Sequence, residues 1–103
     1  MENEITVQSI YNDIHRCATN YFIGQKMGMF GINVYDELDS VCHEMESEVL
    51  PSMANLSEEE QMELLNMLKE LNKKDKLELS KDFIITSINT LQSLIINGKG
   101  KQR

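Results

Sequence analysis

The residues with the strongest intrinsic chemistry in this chain of 103 are two cysteines and two histidines, Cys17 with His15 and Cys42 with His43. Together they offer the sulfur and nitrogen donors that zinc takes. Their spacing argues against chelation. On a helix, residues two apart point about 200° away from each other and neighbours about 100°, so neither His15-x-Cys17 nor Cys42-His43 closes on one ion. Both cysteines fall on apolar stripes, which reads as core thiols flanked by half-exposed histidines. No metal and no cofactor is expected, and the thiols are expected to be reduced rather than paired.

Other catalytic patterns are equally thin. No serine lies in a strand-to-helix elbow, and Gly24-x-x-x-Gly28 lacks the Lys-Ser or Lys-Thr that lets a glycine loop hold phosphate. Those glycines suit a turn or a close helix contact. Nothing singles out a pair of carboxylates for acid-base work. The chain is read as not an enzyme.

Charge carries more information. The formal net charge is -7. Asp36, Glu37, Asp39, Glu44, Glu46, Glu48, Glu58, Glu59, Glu60 and Glu63 follow one another with no lysine or arginine between them. From Leu64 onward lysines balance acids, and the end is mildly basic. A block of carboxylates either keeps two helix faces solvated or steers a basic partner. An acidic domain repels a phosphate backbone, so direct nucleic-acid binding is disfavoured. A second candidate surface is Met27, Met29, Phe30 and Ile32, in a glycine-punctuated stretch where a monomer would struggle to bury all four. They either cap the end of a bundle or dock a partner or a second copy. The candidate partner-binding residues are therefore Met27, Met29, Phe30, Asp36, Glu37, Glu44, Glu48, Glu58 and Glu59.

The elements that position these residues follow from periodicity. Val7, Ile10, Ile14, Cys17, Ala18 and Tyr21 recur at spacings of three and four, predicting a helix from Thr6 to Ile23 that can run on to Lys26. The chain should turn between Gly28 and Asn33. Asn33 is the expected N-cap of a second helix, with Asp36 and Glu37 in its first turn and a stripe of Leu38, Val41, Cys42, Met45 and Val49. Pro51 lacks an amide hydrogen and disfavours helical geometry at Leu50, so this helix is expected to stop near Val49. Ser57 and Glu60 form a capping box for a third helix reaching Asn72. A fourth starts at Asp75 or after Ser80, the second choice leaving Leu77 to Leu79 as an extended link. Its seam is Ile84, Ile88, Leu91 and Ile95, widened by Phe83, Ile85, Leu94 and Ile96, and Asn97-Gly98 is its expected stop.

The fold class expected is all-α: a small antiparallel bundle of about four helices, with completion by dimerisation as the alternative. Residues 1–98 form one domain, and 99–103 a basic flexible tail. No apolar stretch approaches the roughly 20 residues of a transmembrane helix, and the acidic start is unlike a secretory signal, so a cytoplasmic location is expected. The functional expectation is a non-enzymatic, acidic regulator, adaptor or inhibitor that binds a larger protein, a basic partner surface being one option. The alternative is a small DNA-binding transcriptional regulator. The residues carry no resemblance that names a family.

Overall fold

A computed structural model describes residues 6–74 and 79–101, the last four as backbone only. Four helices and no strand occur among the described residues. Helix α1 spans Val7–Met29. Its N-terminus is tied by Thr6, whose hydroxyl accepts from the Ser9 amide while the Ser9 hydroxyl accepts from the Thr6 amide. Phe30 and Gly31 then reverse the chain, and Gly31 takes a positive φ of 87° that a side chain would strain.

Helix α2 comprises Tyr35–Glu44 as α-helix, Met45–Val49 as a π turn and Leu50–Ser52 as α-helix, followed by a 3-10 turn at Met53–Asn55. The expected stop at Val49 is therefore corrected. Leu50 is fully helical at φ -62° and ψ -44°, and Pro51 continues the helix. Proline in a helix clashes with the carbonyl four residues back and leaves it without a donor. The π turn preceding Pro51 widens the spiral and accommodates the ring. It also solves a phase problem: Met45, Val49 and Met53 are all buried at four-residue spacing, which in an unbroken α-helix would drift about 40° per step. Ser47 helps by donating its hydroxyl to the His43 carbonyl at 2.6 Å. The cap also differs from expectation. Val34 is the capping residue, and the Asn33 side chain accepts from the Tyr35 amide at 3.2 Å, one position early.

Helix α3, Glu58–Lys73, begins as its sequence dictates, with Ser57 and Glu60 in a reciprocal capping box. Helix α4, Lys81–Lys101, starts after Ser80; the rival start at Asp75, like Leu77 of the proposed link, lies outside the described residues. The expected stop at Asn97-Gly98 is overrun, since the backbone stays helical to Lys101. Glycine lowers helix propensity by about 1 kcal/mol without forbidding the conformation.

The core is one continuous packing of α1, α2, α3 and α4. Ile10, Ile14, Cys17, Met53, Leu64, Leu68 and Leu91 form its centre, and Ala18, Leu71, Leu79 and Ile84 a smaller cluster beside it. Tyr21 on α1 meets Phe83 in the first turn of α4 at a ring separation of 4.8 Å. The Ser80 amide donates to the Ala18 carbonyl, so the entry to α4 is fixed on the middle of α1. These contacts set the functional geometry. Past Tyr21 the burial of α1 falls away: of its last eight residues, about 12 Å of helix, only Gly24 is buried, and they form a projection with the facing part of α2. The molecule measures 54 × 33 × 25 Å.

Candidate interaction surface

The projecting part of the α1–α2 hairpin is held by side chains of its second half packed on glycines of α1 rather than by a core. Gly24 is buried against Leu38: a Cβ on this glycine would stand only 2.5 Å from Leu38 Cδ2. Gly28 faces Val34 at an ordinary contact distance of 3.6 Å. Glycine at these two turns lets the antiparallel helices approach closely. Little else is buried here, and the tip is strongly apolar at its surface. Met29 is 83% exposed and Phe30 82%, with Ile32 and Tyr35 also exposed and Met27 at 43%. These side chains are exposed rather than buried at the end of the bundle.

Two grooves follow the hairpin on opposite sides. One, about 550 Å³, is lined by Phe22, Gln25, Lys26, Gly28, Met29 and Leu38, with the Lys26 ammonium 5.2 Å from the centre of the Phe22 ring. The other, about 350 Å³, lies between Ile23, Gly24 and Met27 of α1 and Val34, Glu37 and Val41 of α2. Ile23 and Tyr35 were not picked out from sequence. A signal existed for Ile23, which lies about 200° around the helix from the Tyr21 stripe and is apolar where a solvated face is expected.

The predicted acidic residues do not share one surface. Asp36 and Glu37 are exposed near the tip, and successive residues diverge by about 100°. Glu44 is not a free carboxylate. It accepts from both terminal nitrogens of Arg16, at 2.7 and 3.3 Å, in a fork that ties α2 to α1, and Arg16 also reaches Asp13. The hydrogen bond from Arg16 holds the Glu44 carboxyl below the usual carboxylate range, and the same bond raises the Arg16 guanidinium further above its ordinary value. Glu48 and Glu59 are exposed and Glu58 is half-buried at the start of α3. Glu60, inside the acidic run, has its carboxylate engaged in the capping box.

Both cysteines are free thiols. Burial pushes Cys17 up to about 11, far from the thiolate a nucleophile needs. Cys42 is half-buried beside Tyr21, and burial raises both groups above their ordinary values. His15 and His43 are exposed. Among the described residues no three His, Cys, Asp or Glu side chains gather as metal ligands, and no helix is long and apolar enough to cross a membrane. In comparisons with family models, with curated proteins and with solved structures, nothing matches this chain.

Proposed function

We propose that this chain is a non-enzymatic adaptor, regulator or inhibitor that docks on a larger protein with the tip of its α1–α2 hairpin. The observation that carries this reading is the exposure of Met29 and Phe30 at the end of a two-helix projection. Large apolar side chains offered together in this way are costly in water and suit the centre of an interface, where a few such anchors carry most of the binding energy. Asp36 and Glu37 stand next to the tip in sequence and are exposed, so they favour a basic partner surface and speed its approach. Glu48 and Glu59 add to the acidic field at longer range, and Glu44 contributes mainly to hairpin geometry.

Replacing Met29 and Phe30 together by serine tests the reading. Because both side chains are already exposed, stability should change by no more than about 0.5 kcal/mol. Used as baits in a pull-down from the native host, the wild type should retain a partner that the double variant loses. Equal capture by both, or a large fall in melting temperature, would refute docking through the tip. Retention of a DNA duplex in a gel shift would instead favour a DNA-binding regulator.

A further inference from the structure

The smaller groove says what kind of segment would seat on the hairpin. It is lined by Gly24 and Val34, both buried, by the apolar Ile23 and Met27 on one side and Val41 on the other, and by the polar Asn20, Ser40 and Glu37. Two antiparallel helices present only side chains along such a groove, because their main-chain groups are already bonded within each helix. An extended peptide would find no backbone partners there. A helix brings its own satisfied backbone and can lay an apolar ridge between the two walls. Closer to the core, α3 and α4 pack in this manner against the same hairpin.

Charge selects between occupants. Residues 20–41 contain one lysine, Lys26, and three acids, Asp36, Glu37 and Asp39, and among the described residues none of these four enters an ion pair. A second copy would bring the same acidic excess to the contact, from a chain of net charge -7. A basic helix complements it. We propose that the groove between Ile23, Met27, Val41 and Glu37 receives an amphipathic basic helix of the partner, with apolar anchors at helical spacing and a lysine or arginine meeting Glu37. This rests on the docking role proposed above and names the partner's chemistry.

The test uses the full chain and a fluorescein-labelled helical peptide of roughly 18 residues, five turns, with leucines at i, i+3, i+4 and i+7 and lysines on the flanks. A scrambled peptide of the same composition is the control. Fluorescence anisotropy should show saturable binding of the patterned peptide only, weakened about tenfold by the paired change I23S and M27S and about tenfold by E37K. Amide peak shifts in the wild type should map to residues 20–41, which keeps the test open if the paired variant folds poorly. Equal binding of the scrambled peptide, or indifference to E37K together with shifts elsewhere, would overturn the proposal. So would sedimentation showing a wild-type dimer that I23S and M27S dissolve, because the occupant would then be a second copy. If the peptide fails while M29S with F30S still loses the host partner, the groove falls and the docking role stands.

Discussion

Gly24 and Gly28 stand one turn apart on the same side of α1, yet their surroundings make opposite demands. A methyl group at Gly24 must shift the end of the half-buried Leu38 side chain, which offsets its better helix propensity, so G24A should be neutral or destabilise the protein by up to about 1 kcal/mol. At Gly28 the space is already sufficient, and G28A should be neutral or gain up to about 1 kcal/mol. Urea unfolding of the two variants checks the contrast. The sequence suggested a turn or close contact for these glycines without deciding between them, because packing distance is not a property of local sequence. Glu44 gives a pH-dependent case. Its carboxyl is held below its ordinary value of 4.5 by Arg16, so the pair's stabilisation is present above that pH and is lost as acidification protonates the folded-state group. The pair is partly exposed, which limits it to about 0.5 kcal/mol. Wild type should therefore exceed E44Q in stability by that amount near neutrality, and the difference should vanish as pH falls below 4.5. Converging melting curves on acidification are the expected result; parallel curves would show that the pair contributes nothing.

At the scale of elements, the best-read features were those whose cause is local. The Ser57 and Glu60 box needs only residues three apart, and α3 starts where that pattern places it. The end of α2 was misread because Pro51 was weighed alone. Met53 and Leu56, both buried, continue the apolar pattern past it, and the energy of burying them outweighs the local cost of a widened turn. The cap at the end of α3 was invisible for a related reason. Lys81, in the first turn of α4, donates from its ammonium to the carbonyls of Asn72 and Lys74, each at 2.8 Å. A cation there satisfies the exposed carbonyls and complements the helix dipole. K81M, which keeps the apolar stem, should cost about 1 kcal/mol and increase fraying in the last turn of α3. Amide exchange at residues 71–74 is the measurement.

For the whole molecule, the central consequence of the fold is an uneven distribution of stability. The base, where α3 and α4 cover the hairpin, contains nearly all the fully buried side chains, including Ile14, Leu64, Leu68, Ile84 and Leu91. The projection contributes little beyond Gly24 and Val34. Native-state hydrogen exchange should find amides of residues 22–41 opening at lower free energy than those of residues 64–71. Uniform protection would contradict this picture. The all-α class and the four-helix count were legible because each helix carries its own apolar stripe. The projection was not, because it depends on how far α3 and α4 reach along α1, a stagger fixed by tertiary contacts such as Tyr21 with Phe83. The widened fourth helix resolves similarly: Phe83 and Leu94 pack against the core, whereas Ile85 and Ile96 stay exposed.

The π turn at Met45–Val49 makes α2 a splice between two rotational phases. One residue more than a plain α-helix needs is stored there, and the widened turn absorbs the rotation that residue would otherwise add. Removing Glu48 would close the π turn to plain α-helix and leave the two sides near their present phase, whereas keeping that residue in plain α geometry would swing one side by about 100° relative to the other. In the second case Leu38 and Met53 could no longer face their present partners together. The direction in which the protein aims its apolar tip thus depends on the π turn absorbing that residue, independently of which side chains the tip displays.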